Sequence, residues 1–281
     1  MRLKTIENTG LYSGQSPILA NRNPAFPSWR GGVLLFRETF LRSCLTLDTN
    51  KDRFLRKGEW IMKKLILFGD SIMKGVTFNG SGYHLCPDHD LPQLAARGIE
   101  IENHTKMGAT IGDGLRAMDK YLTGCDSQTT VLLGYGGNDC DYDWQAISDA
   151  PSADHSPKTA PDAYIEGMRR AIRKAQDAGA MVAVASLVPL DADRYLQFIS
   201  KNRDGKNILS WLGDAAHLYR WQEYYNALTV QMARAFGCRL VDLRTAFLQS
   251  RNFLDLLCPD GIHPTDSGYA LAHKTLSAAM Y

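Results

Sequence analysis

Met62-Lys63-Lys64-Leu65-Ile66-Leu67-Phe68-Gly69-Asp70-Ser71 runs from a continuous apolar stretch into a turn-forming tripeptide. Such a run predicts a strand over 63–68 that is buried on both faces. Gly-Asp-Ser then breaks the strand and presents a hydroxyl at its end. Beyond this point apolar strand-like runs recur at 99–103, 130–135, 181–187 and 239–242. Between them lie amphipathic segments. Asp162–Ala178 has Tyr164, Ile165, Met168, Ala171, Ile172 and Ala175 at helical spacing, with Gly179 placed to end the helix and Thr159 to cap its start. Further helices are expected at 112–122, 216–236 and 265–279. Strands alternating with helices predict a parallel sheet covered on both faces, a three-layer α/β/α domain. In such sheets ligands bind beyond the carboxyl ends of the strands.

Three short pieces follow those ends, Gly69-Asp70-Ser71, Gly108 and Gly136-Gly137-Asn138-Asp139, and a fourth, Asp260-Gly261-Ile262-His263, lies beyond the last strand. Together they contain every part that acyl transfer needs. A serine hydroxyl is a poor nucleophile at neutral pH and requires a base within hydrogen-bond reach. His263 is the histidine with a carboxylate three residues before it inside a tight Asp-Gly-x-His-Pro turn. That spacing lets Asp260 hold Nδ1–H while Nε2 faces Ser71. The Ser71 and Gly108 backbone N–H groups and the Asn138 side-chain amide are candidate donors to an oxyanion. Gly112 competes with Gly108 for that place. Asp70 and Asp139 are expected to brace their loops, and His84, His89, His104, His155, His217 and His273 to be ordinary surface or core residues.

Composition limits the alternatives. With 44% hydrophobic and 22% charged residues in 281, the chain has material for a substantial core. A formal charge of +2 offers no global attraction for nucleic acid. No apolar run approaches the roughly 18–20 residues needed to span a bilayer. The six cysteines include no CxxC pair, so reduced thiols and a cytoplasmic location are expected.

Residues 1–61 differ from the rest. They carry 10 Lys/Arg against 5 Asp/Glu, net +5, whereas residues 62–281 carry 22 against 25, net −3. They show no sustained period. Lys57-Gly58-Glu59 can be encoded by a purine-rich run of ribosome-binding type just before Met62. The expectation is that 1–61 is an upstream extension translated from an early start, disordered or non-native, and that 62–281 is the domain. The alternative is a genuine basic N-terminal arm.

Ser71 in Phe-Gly-Asp-Ser-Ile, Gly108, Asn138 in Gly-Gly-Asn-Asp, and Asp260 with His263 in Asp-Gly-Ile-His-Pro resemble the four blocks of the SGNH, or GDSL-type, hydrolases. The match spans 65–270. Ile72 stands where the first block usually has Leu, and the spacing from Gly108 to Gly112 makes the second block the loosest. The resemblance implies a flavodoxin-like sheet of five parallel strands and esterase or lipase-like activity. It also implies the roles already given to Ser71, Gly108, Asn138, Asp260 and His263, with no cofactor and no metal.

Substrate preference rests on two segments. Asp191–Tyr225 carries Tyr195, Phe198, Trp211, Tyr219, Trp221, Tyr224 and Tyr225. It reads either as a helical cap over the site or as the buried faces of ordinary helices. Cys140-Asp141-Tyr142-Asp143-Trp144 should border the pocket, and its two carboxylates would disfavour an anionic substrate. A small neutral ester such as an acetylated sugar is therefore expected over a phospholipid, as a small-molecule substrate with neither nucleic acid nor membrane span involved. Lysophospholipase, thioesterase and acyltransferase chemistry would use the same serine. A metal-dependent phosphoesterase would need an early Asp-x-His and a late Gly-His-x-His, which are missing. A non-catalytic carbohydrate-binding module on the same fold is the other alternative.

Overall fold

The computed structural model describes residues 62–280. The expectation for residues 1–61 lies outside the described residues. Strand β1 (Lys64–Gly69) enters helix α1 (Ser71–Lys74), and a hairpin of β2 (Val76–Phe78) and β3 (Tyr83–Leu85) follows. Next come α2 (Pro92–Ala95), β4 (Glu100–Asn103), α3 (Ile111–Tyr121), β5 (Thr129–Gly134), α4 (Trp144–Asp149), α5 (Pro161–Asp177) and β6 (Met181–Ala185). The chain continues through α6 (Ala192–Ile199), α7 (Gly205–Leu212), α8 (Ala216–Ala235), β7 (Arg239–Val241), α9 (Leu243–Leu248) and a 3₁₀ turn at Phe253–Leu256. It ends in α10 (Asp266–Ala279).

Five strands form one parallel sheet in the order β4-β1-β5-β6-β7. Its register pairs Lys64 with Thr129 at one end and Gly69 with Gly134 at the other. The apolar run of β1 is buried on both sides because its alternate residues feed two cores. Leu65 and Leu67 join Leu132, Val241, Phe247 and Leu276 on one face. On the other side α5 buries Tyr164, Met168, Ala171, Ile172 and Ala175. Gly167 of α5 lies against Ile111, where an added Cβ would come within 2.9 Å of the isoleucine side chain.

The expected strands and helices are present within one or two residues at their ends, with one correction. Thr159 does not cap α5, because Pro161 occupies the first helical position and Ala160 precedes it without a side-chain cap. Thr159 instead donates its backbone N–H to the Asp139 carbonyl at 3.0 Å. The β2–β3 hairpin beside the sheet is an element not among those expected.

The segment from Asp191 onward forms α6, α7 and the start of α8. Tyr195, Ile199, Ile208, Leu212 and Leu218 from these helices pack with Tyr142, Trp144 and Ile147 in a separate apolar cluster. Residues of these helices also wall the cavity described below. No described helix is long and apolar enough to cross a membrane.

Candidate active site

Three of the sequence blocks meet at the carboxyl ends of β1 and β5. Asp70 caps α1 by accepting the Ile72 N–H at 2.9 Å, which leaves Ser71 in the first helical position. The turn at 258–264 is closed by a bond from Cys258 N–H to the His263 carbonyl at 2.7 Å. Within it, Asp260 is fully buried and its Oδ1 accepts the N–H groups of Ile262 and His263, at 3.2 and 3.1 Å. Its other oxygen takes Nδ1–H of His263 at 2.6 Å. With Nδ1 so protonated, Nε2 accepts the Ser71 hydroxyl at 2.9 Å. A residue 192 positions away thereby reaches the serine.

Gly261 makes this turn possible. It has φ +77°, and a Cβ there would sit 2.7 Å from both the Asp191 carbonyl and the Tyr195 amide. Its own carbonyl accepts the Asp191 N–H at 2.8 Å, which pins the turn to the start of α6.

The candidate donors also converge. After β4 the chain stays beside β1, with His104 N–H bonded to the Leu67 carbonyl and Lys106 N–H to that of Gly69. This path brings Gly108, at φ +75°, to the cavity that Ser71 and Asn138 line. Gly112 lies inside α3, so the two glycines are separated by the helix start. Neither the Ser71 nor the Gly108 backbone N–H meets an acceptor among the described residues. The Asn138 amide donates to Asp70 Oδ2 at a long 3.5 Å. The residues that carry these three N–H donors line the same cavity, and there is little or no competition for the donors.

Asp70 and Asp139 have bracing contacts. Burial pushes the Asp70 carboxyl up to about 6, against the opposing pull of the Ile72 and Met73 amides. Burial likewise raises Asp139, which accepts the Ile111 amide. Asp141 carries less free negative charge than the sequence suggests, and Asp143 does not line the cavity. Asp141 is ion-paired to Lys158 at 2.7 Å and accepts from Trp144 Nε1 and the Tyr195 hydroxyl, each at 2.7 Å. Asp143 caps α4.

The cavity holds about 300 Å³ and runs from Ser71 and His263 to Tyr142, Trp144 and Trp221. His217 also lines it, in a stacked arrangement with Trp221 and with its imidazole pKa lowered by burial, whereas it had been expected to be an ordinary residue. Tyr83 was missed altogether. It lines the cavity from the hairpin and packs against His263 with ring centroids 5.3 Å apart. Asn79-Gly80 between Val76-Thr77-Phe78 and Tyr83-His84-Leu85 is a hairpin signal that would have found it. Among the described residues no three His, Cys, Asp or Glu side chains are grouped to hold a metal ion.

The parallel five-stranded sheet with these blocks near its strand ends defines a three-layer α/β/α protein, and comparison with known proteins places the chain in a family. Residues 67–271 match the GDSL-like Lipase/Acylhydrolase family, and the chain belongs to that family. Solved structures share the fold. A metagenomic enzyme from Lake Arreo, LAE5, is 20% identical with a TM-score of 0.54, covering 79% of this chain and 98% of its own. The acetylxylan esterase Axe2 of Geobacillus stearothermophilus is 19% identical with a TM-score of 0.52, covering 78% and 95%. A lipase/acylhydrolase from Enterococcus faecalis is 19% identical with a TM-score of 0.50, covering 77% and 94%. No curated protein matches the chain.

Proposed function

We propose that the protein is a carboxylic ester hydrolase that works through an acyl-Ser71 intermediate, with Asp260 and His263 completing the triad. The observation that carries this is the hydrogen-bond chain from Asp260 through His263 to Ser71, at 2.6 and 2.9 Å. Ser71 Oγ attacks the ester carbonyl while its proton passes to His263 Nε2. Asp260 keeps the imidazole in the required tautomer and stabilises the imidazolium. The negative oxygen of the tetrahedral intermediate accepts from Ser71 N–H, Gly108 N–H and Asn138 Nδ2–H. As the intermediate collapses, the bond to the alcohol oxygen breaks and Nε2 returns the proton to it. Water, deprotonated by the same nitrogen, then attacks the acyl-serine and releases the carboxylic acid.

The substrate we propose is a small neutral ester, with an O-acetylated carbohydrate as the leading class. A cavity of about 300 Å³ with aromatic walls suits a short acyl group and a ring. One solved structure of this fold is an acetylxylan esterase. Cytoplasmic location is part of the same proposal. The described cysteines, Cys86, Cys125, Cys140, Cys238 and Cys258, are all free thiols, in keeping with a reducing compartment.

The test is intact mass after treatment with a fluorophosphonate, with Ser71→Ala beside it. A single adduct that the variant lacks is expected. No adduct on folded protein would overturn the proposal. For the substrate class, faster turnover of a lysophospholipid than of acetylated sugars would refute the carbohydrate assignment.

A further inference from the structure

The β2–β3 hairpin belongs to neither helical layer, yet it supplies a side chain that packs on the buried His263 and lines the same cavity. Phe78 and Tyr83 face each other across the hairpin with ring centroids 4.9 Å apart. Phe78 also meets Phe198 of α6 edge to face at 5.5 Å. The Lys201 ammonium lies 5.9 and 5.7 Å from the centroids of these two phenylalanine rings. Anchored in this way, Tyr83 holds its ring against the imidazole while remaining 43% exposed at the cavity mouth. Its hydroxyl meets no hydrogen-bond partner among the described residues, and burial and the Asp260 charge keep the phenol protonated. An anchored aromatic ring thus stands beside the site with a spare donor and acceptor.

Stereochemistry assigns that ring a side. In the tetrahedral intermediate one oxygen points to the N–H donors, and the departing oxygen must lie within reach of His263 Nε2, which protonates it. The acyl substituent takes the remaining direction. A group packed on His263 and exposed at the mouth therefore faces the alcohol part of the ester.

We infer that Tyr83 is the specificity-determining residue for the alcohol half of the substrate, taking a ring-bearing alcohol on its aromatic face and a ring hydroxyl on its own. The inference rests on Ser71 being the nucleophile. Tyr83 acts only until the C–O bond to the alcohol breaks. Hydrolysis of the acetyl-Ser71 that remains, where no alcohol is present, is an internal reference.

The experiment is steady-state and burst kinetics of the full chain and its Tyr83→Ala, Tyr83→Phe and Tyr83→Leu variants. The substrates are acetates of ethanol, cyclohexanol and methyl xyloside, together with ethyl propionate and butyrate. Tyr83→Ala should lower kcat/KM for the two ring alcohols about five- to tenfold relative to ethyl acetate, the range one aromatic contact supports. Tyr83→Phe should restore cyclohexyl acetate but not the xyloside. The ratio of acetate to butyrate should not move. If the alanine variant does not fold, Tyr83→Leu keeps apolar bulk on Phe78 and gives the same comparison. An equal loss on every alcohol, a changed acyl ratio, no loss at all, or an unaltered protein that prefers ethyl acetate to both ring acetates would overturn the role of Tyr83. Fluorophosphonate labelling of the unaltered protein separates the two failures. A labelled Ser71 with any of those outcomes removes only Tyr83, whereas an unlabelled Ser71 removes the hydrolase proposal itself.

Discussion

Asp139 accepts the Ile111 backbone N–H with both carboxylate oxygens, at 3.0 and 3.2 Å, and so ties the loop after β5 to the first turn of α3. Asn138 immediately precedes the carboxylate, and Gly108 lies three residues before the amide. The bond therefore sets the separation between two of the proposed oxyanion donors. Gly136-Gly137-Asn138-Asp139 is thus more than a turn.

Asp139→Ala should lower unfolding free energy by about 2 kcal/mol, since it leaves a buried amide without its charged acceptor. It should also reduce kcat, as the donor loops lose their tie. Urea denaturation and ester turnover check the two effects together. An unchanged midpoint would show that the bond contributes nothing net.

Asn138→Ala removes one donor that is free to strengthen in the transition state. The expected cost is about 10²–10³ in kcat with KM little changed. A loss confined to KM would mean that the amide binds the ground state instead.

Asp260→Asn preserves the shape of the turn but removes the charge that selects the His263 tautomer. A fall of about 10⁴ in kcat is expected, by analogy with serine proteases. Fluorophosphonate labelling should slow in parallel. Labelling at the normal rate would exclude Asp260 from activating Ser71.

Asp70 makes stability depend on pH. Its folded pKa, about 6, lies above the ordinary 3.8, so between those values the folded state binds more protons than the unfolded state. Its contribution to stability is therefore most favourable below about pH 4 and declines as the pH rises through 6. Asp70→Asn removes that decline while keeping an oxygen for the Ile72 amide. The variant should gain roughly 2–3 kcal/mol relative to the unaltered protein at pH 7.5, with the gain vanishing near pH 4. Denaturant titrations at the two pH values measure it, and an equal difference at both would refute the assignment.

Gly261→Ala should lower Tm and activity together. The residue sits at φ +77°, and the new Cβ would meet backbone atoms of Asp191 and Tyr195 at 2.7 Å. Strain of about 1–3 kcal/mol is expected, with the His263 turn displaced from α6. A variant of normal stability and rate would show that α6 yields without disturbing the histidine.

Much of this was legible along the chain because its signals are local. The apolar run of β1, the 3.6-residue period of α5 and the Asp260–His263 spacing depend on neighbours within a few positions, as strand burial, helical faces and tight turns do. Those signals were enough for a parallel three-layer fold and for the grouping of Ser71, Asp260 and His263, which the structure brings within hydrogen-bond distance. Only tertiary structure decided which surfaces face the site. Whether Tyr83, His217 or Trp221 lines a cavity depends on the angle at which a hairpin or helix docks, and that angle is set by contacts between distant residues such as Phe78 and Phe198. Asp141 likewise looks like an exposed charge in the sequence, but the fold surrounds it with Lys158, Trp144 and Tyr195. A side chain's charge is local information, while its partners are a property of packing.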